Sequence, residues 1–277
     1  MGSEMCIRDR YLTADAVKNQ INQVVGGKDG QRFISAIVSA VNTNPALQEC
    51  TNQSILSGAL LGESLKLSPS PQLGQYYLVP FNDKNKGKVA QFQLGYKGYI
   101  QLAIRSGQYK KLNVLAIKEG ELIRFDPLNE EIEVRLIEDE EEREQANTIG
   151  YYAMFEYTNG FRKAIYWSKR KMEAHALKYS KGYQAKKGYT FWEKDFDGMA
   201  YKTMLRQLIS KWGIMSIDMA SAIDSDMAVI NEDGTKDYVD NDATVFDMEP
   251  AQEATPQQSQ PEPAVPVDAK AALFGNN

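Results

Sequence analysis

The sequence predicts an α+β protein: a twisted antiparallel sheet with helices packed on one face. Three patterns carry that expectation. Two alternating segments, QYYLVPF (75–81) and KVAQFQLG (88–95), flank the polar turn NDKNKGK, which suits a hairpin. Strand-like runs then follow one another from residue 110 to 168. Segments of helical spacing lie before the hairpin and after the last of these runs.

Taken in order, RFISAIVSAVN (32–42) and NQSILSGALLGESLKL (52–67) repeat apolar residues at helical spacing, with Asn52 or Ser54 as the expected cap. SPSPQLG (68–74) breaks the chain ahead of the hairpin. Tyr96–Arg105 reads as a helix opened by Gly95. The strands expected next are KKLNVLAIKEG, ELIRF, EIEVRLI, IGYYAMFEY and FRKAIYWS, with acidic EDEEEREQ as a solvated turn between two of them. KRKMEAHALKYS (169–180) and FWEKDFDGMAYKTMLRQLISKW (191–212) read as helices. The sequence divides into a segment at 1–30, a core at 31–224 and an acidic tail at 225–277. The tail is rich in Pro and Gln without lasting apolar periodicity, so disorder is expected there, with AALF (271–274) as a docking peptide.

Composition narrows the chemistry. At 277 residues with 43% apolar content the chain can bury a sizeable core, and it has no apolar run long enough for a membrane span. Two cysteines, Cys6 and Cys50, exclude a disulfide framework and fit a reducing compartment. With His175 as the only histidine, a structural zinc site lacks ligands. Gly26-Gly27-Lys28 does not have the spacing of a phosphate-cradling loop, so no ATP requirement and no other cofactor is expected. The net charge of −5 conceals a strong asymmetry. Residues 225–277 hold eleven acidic and two basic residues, whereas residues 161–211 hold thirteen basic and four acidic. The local field, not the net charge, selects the partner.

Candidate binding residues follow from helical geometry. A four-residue step advances about 6 Å along a helix and just over one turn. Lys97, Gln101 and Arg105 therefore form one file on the 96–105 helix, a spacing that suits the phosphates of an extended strand. An ordinary amphipathic helix would show the same pattern, with Tyr99, Ile100, Leu102, Ala103 and Ile104 on its other faces. A second file, Lys194, Lys202 and Arg206, runs along the later helix. Lysines and arginines interleave there with Tyr179, Tyr183, Tyr189 and Trp192, the mixture single-stranded nucleic acid requires. Gln91, Gln93 and Tyr96 are expected to add contacts, and Lys169, Arg170, Lys171, Lys194 and Lys211 to thicken the field. Trp212 and Tyr166 are expected in the core, and His175 on a solvated helical face. Asp126, Glu131 and Glu133, with Arg135 nearby, keep open a Mg²⁺-dependent nuclease, and a passive single-strand coat shares the basic–aromatic surface.

The stretch LKLSPSPQLGQYYLVPFNDKNKGKVAQFQLGYKGYIQLAIRSGQ (65–108) closely resembles the signature region of the RecT family of phage-type single-strand annealing recombinases. That family pairs an LxLxP element and a YLxPF strand with a GY(K/R)GxIxLAxRSG helix. Residues 192–209 resemble its late basic helix, and the likeness extends over roughly 31–224; the first ten residues do not resemble the family's N-terminal arm. The resemblance implies a core related to the Red-beta and Rad52-like annealers. It also implies ATP-independent pairing of single-stranded DNA into duplex, assembly into rings or helical filaments, and a tail for partners. Those partners would be a phage exonuclease and a host single-strand-binding protein, in the bacterial cytoplasm, for a phage- or prophage-encoded protein.

Overall fold

The computed structural model describes residues 29–238, apart from 84 and 189, together with 19, 21, 25 and 26. The expected tail beyond 238, most of the 1–30 segment and the AALF peptide lie outside the described residues.

The first helices described over their whole length are α1 (Gly30–Thr43) and α2 (Asn52–Ser64), joined by a short 3-10 turn at Pro45–Glu49. The cap of α2 is Thr51, one residue ahead of the expected pair; its hydroxyl accepts the Ser54 N–H. The hairpin follows as β1 (Tyr76–Asp83) and β2 (Gly87–Leu94), antiparallel in continuous register from Tyr76↔Leu94 to Asp83↔Gly87. Helix α3 (Tyr96–Arg105) starts directly after Gly95. Then come β3 (Tyr109–Lys118), the hairpin β4 (Leu122–Asp126) and β5 (Glu131–Val134), α4 (Glu140–Gln145), β6 (Thr148–Tyr157) and β7 (Arg162–Ser168). Helices α5 (Lys169–Tyr179), α6 (Lys181–Gln184), α7 (Phe191–Lys194), α8 (Phe196–Trp212) and α9 (Ile217–Ser225) precede two short strands, β8 (Ala228–Ile230) and β9 (Lys236–Tyr238).

The α+β class and the antiparallel pairing agree with the sequence reading, but the single expected sheet is divided. The strands form a four-stranded sheet ordered β1-β2-β8-β9, a three-stranded sheet ordered β3-β6-β7, and the separate β4-β5 hairpin. Each sheet has its own core. Ile37, Leu56, Phe92, Tyr99 and Met219 gather around the first, and Tyr151, Phe155, Met172, Trp192 and Met204 around the second. Helix α8 serves both: Leu205 and Ile209 enter the first core, while Ala200, Met204 and Leu208 enter the second. A three-to-four-residue apolar period on two adjacent faces puts one helix between two cores.

Edge strand β1 carries Pro80, paired with Ala90. The Ala90 N–H turns away from β1 to donate to Ser54 Oγ at 2.8 Å, so the Pro80 nitrogen faces outward, where its missing N–H costs no sheet bond. On the three-stranded sheet, α5 and α8 pack against the face holding Tyr151, Ala153 and Phe155. The β4-β5 hairpin lies against the opposite face, where the Phe125 ring is 5.0 Å from that of Tyr166.

Three further expectations are corrected here. EDEEEREQ is not a plain turn: Glu140–Gln145 is helical, capped by Asp139, and turns Arg143 inward to the fully buried Glu121. The long helix expected over 191–212 is two helices, because Asp195 leaves helical geometry to cap α8 by accepting the Gly198 N–H at 2.8 Å. The core does not stop at 224, because Asp226 and Ala228, Val229 and Ile230 of β8 are buried in it.

Candidate nucleic-acid interface

Helix α3 is positioned by its glycines. Gly95 N–H donates to Gln75 O at 2.9 Å. A Cβ on Gly95 would sit 2.1 Å from Gly74 O, and one on Gly98 2.1 Å from Gln75 O, so only glycine permits this backbone contact. Tyr99, Leu102 and Ala103 are buried beneath, while Lys97, Gln101 and Arg105 all face solvent, as the helical file requires. Ile104 is exposed as well, not a packing residue.

The three members of the file have different surroundings. Lys97 lays its stem beside Gly74 and Tyr77 and its ammonium 5.9 Å from the Tyr96 ring. Arg105 Nη2 donates to Leu65 O at 2.7 Å, so part of its guanidinium caps the C-terminus of α2, where a cation is electrostatically favoured. Tyr96 packs edge-on to Tyr201 of α8 at 5.8 Å, and Tyr77 lies 5.9 Å from Phe191 of α7. Tyr77 and Tyr96 thus join the first turn of α3 to the α7–α8 junction. Burial first, and then the Asp195 carboxylate, push both phenols up from their usual pKa and keep them protonated donors. Tyr77, Phe191 and Tyr201 were missed in the sequence. The signal available was strand alternation, which turns Tyr77 to the opposite face from the buried Tyr76.

The second file does not survive as a continuous row. Lys194 stands exposed on α7, across the break at Asp195. Lys202 and Arg206 do lie on α8, but both are bound to the buried Asp226. Lys202 Nζ donates to its Oδ1 at 3.0 Å and Arg206 Nη1 donates to Oδ2. Leu94 N–H adds a third bond to the same carboxylate at 2.9 Å. Two partly covered cations sharing one buried carboxylate tie α8 to β2 and to the start of β8. The pairing covers most of Lys202, while Arg206 keeps 36% of its side-chain surface exposed.

Other expected contacts are also internal. Gln91 is 2% exposed; its Nε2 donates to Met227 O at 2.6 Å, and Gln93 Nε2 donates back to Gln91 Oε1 at 2.8 Å. This amide pair, with the Met227 N–H to Phe92 O bond, holds Met227 at a positive φ of 69°. Trp192 is 7% exposed and packs against Phe196 and Tyr183, so it is core and not a base-stacking ring. Trp212, expected inside, is 40% exposed, and Tyr166 is half-buried under the β4-β5 hairpin. His175 is half-buried, not fully solvated: its ring lies 4.6 Å from Tyr179, 5.5 Å from Trp167 and 6.5 Å from Trp192. Burial, with Lys178 beside it, holds its pKa below the usual imidazole range.

Expected cations that remain outward are Lys97, Arg105, Lys194, Lys211 and those in the first turn of α5. There Arg170 and Lys171 are exposed and Lys169 half-buried, and Lys171 Nζ sits 4.4 Å from the Trp167 ring centre. Three cations in the first turn of a helix oppose its dipole, a cost that an anion bound nearby would offset. The acidic residues considered for a nuclease do not converge. Asp126 accepts from Leu128 N–H, Asn129 N–H and Asn129 Nδ2, and closes its own hairpin. Among the described residues no three His, Cys, Asp or Glu side chains are grouped to hold a metal ion. No described helix is long and apolar enough to cross a membrane.

Comparison with known proteins gives the family. A sequence model of the RecT family matches residues 31–242. An uncharacterized protein of Bacillus subtilis (strain 168), YqaK, is 39% identical over 269 residues, covering 94% of this chain and 87% of its own. Protein RecT of Escherichia coli (strain K12) is 31% identical over 199 residues, covering 71% of each chain. The family match runs from α1 past β9 and so includes Asp226 and the two late strands that close the first sheet. The chain belongs to the RecT family of single-strand annealing proteins.

Proposed function

We propose that the protein pairs complementary single strands of DNA without nucleotide hydrolysis, working as a homo-oligomeric ring or filament. The observation that carries this reading is α3: a helix seated backbone-to-backbone on residues 74–75, with Lys97, Gln101 and Arg105 outward in one file. Phosphates of the strand lie along this file. Lys194, Lys211 and the first turn of α5 add to the attracting field. Contacts to the sugar-phosphate backbone carry no base information, so the bases stay available to test an incoming strand. The acidic residues beyond 238 serve partners in the same pathway, a phage exonuclease and the host single-strand-binding protein, in the cytoplasm of a bacterium. The test mixes complementary labelled oligonucleotides with the protein in the absence of ATP and follows duplex formation and strand length. Faster pairing of intact strands is the expected result. Slowed pairing would make the protein a passive coat, and strands shortened on adding Mg²⁺ would make it a nuclease.

A further inference from the structure

We propose that Trp212, with Phe161 beside it, is a stacking platform for the bases of a single strand. The proposal rests on the annealing reading above and adds a base contact to the phosphate contacts of α3. Of the three tryptophans, Trp192 is core and Trp167 half-buried, whereas Trp212 at the end of α8 is 40% exposed. Lys163 Nζ lies 3.6 Å from the centre of the Trp212 ring. That lysine is itself nine-tenths covered and donates to Glu130 Oε1 at 2.6 Å. A fixed cation thereby lies against the indole, which still keeps 40% of its surface exposed.

The backbone that carries the ring is held in place, and Lys163 lies against the ring itself. Tyr157 Oη donates to Trp212 O at 3.3 Å and accepts the Ile214 N–H, while the Gly213 N–H closes the helix onto Ile209 O at 2.8 Å. Phe161, 47% exposed, stacks on the same Tyr157 at 5.9 Å and 22°. Two outward rings therefore flank one anchored tyrosine. Exposed Lys211, 5.3 Å from the indole centre, supplies charge for a neighbouring phosphate. A ring already fixed loses little freedom on binding, and stacking on a π-face tolerates any base, as annealing of arbitrary sequence demands. Ile214, Met215 and Ile217 are exposed close by, so a second copy of the chain is the rival occupant. The cations around the indole favour the polyanion.

The difference in emission between wild type and Trp212→Phe isolates the signal of Trp212 without touching the core. Both proteins are titrated with an oligo-dT strand and with an abasic strand of equal length, while binding is followed separately by anisotropy of labelled strands. Oligo-dT is expected to quench the difference signal and the abasic strand to leave it unchanged. Trp212→Ala is expected to weaken oligo-dT binding by about fivefold to a hundredfold, with Trp212→Phe retaining most of the affinity and abasic binding unaltered in both. Oligo-dT that binds without changing the difference signal overturns the platform and leaves the annealing reading standing. Equal quenching by the abasic strand overturns it too. So does a difference signal that shifts on dilution without DNA, which assigns the surface to contacts between copies. A wild type that binds no strand at all removes the annealing reading along with the platform.

Discussion

Lys97 and Lys202 have the same chemistry and nearly the same helical context, yet their surroundings assign them opposite work. Lys202 spends its charge on the buried Asp226, while Lys97 projects into solvent. Asp226→Asn leaves two partly covered cations without a counter-charge, and because water reaches Arg206 a loss of about 1–3 kcal/mol is expected in denaturant unfolding. Lys97→Ala is expected to leave unfolding unchanged and to flatten the salt dependence of single-strand binding by about 0.7 in log–log slope. His175 supplies a pH signature. Its folded pKa lies below the ordinary value of 6.5, so it adds stability above that pH, where both states are neutral. As pH falls below about 6.5 the unfolded chain takes up a proton that the folded imidazole refuses, and that stability is lost. His175→Phe keeps the aromatic packing and is expected to melt with a flatter pH profile than wild type between pH 7.5 and about 5.5, read by calorimetry.

Elements with their own periodicity were legible in the sequence, and elements made by tertiary partners were not. The β1-β2 hairpin, α3 and α5 announced themselves by alternation or by a 3.6-residue repeat, and the structure has them with ends within a residue or two. Helix α4 did not, because an acidic octapeptide looks like solvated turn until Arg143 finds a carboxylate 22 residues earlier. Burial works to raise the pKa of that carboxylate, Glu121. The Arg143 guanidinium and the N–H groups of Lys118 and Ile137 outweigh it and hold the group below the ordinary value. Its contribution is therefore present above about pH 4.5 and fades as pH falls towards the folded pKa. Glu121→Gln is expected to lower the melting temperature at pH 7, with the gap to wild type closing below about pH 4.5. The break in the 191–212 helix was equally hidden: Asp195 fits a helical run as well as a cap until Gly198 is seen donating to it.

For the whole molecule, the boundary near 224 was misplaced because composition changes before the fold ends. Acid-rich sequence begins at Asp224, but Asp226 is the counter-charge of α8, and Ala228, Val229 and Ile230 close the first sheet. A chain ending at 224 is expected to lose cooperative unfolding. One ending at 242, where the family match stops, is expected to keep both melting temperature and pairing of bare oligonucleotides, as followed by circular dichroism and duplex formation. The cationic file of α3 was readable because one helix supplies it entirely. The burial of Gln91 and Trp192 and the pairing of Lys202 and Arg206 with Asp226 were not, because their partners arrive from β8, α9 and the second core.

Pro80 bears on how such a protein tolerates crowding on a strand. An N–H missing midway along the rim of the first sheet interrupts the ladder that a neighbouring backbone would need for zippering onto it. Pro80 is itself buried, so that point of the rim offers an incoming strand neither a donor nor bare apolar surface, and the backbone adhesion that turns packed sheets into fibres is disfavoured there.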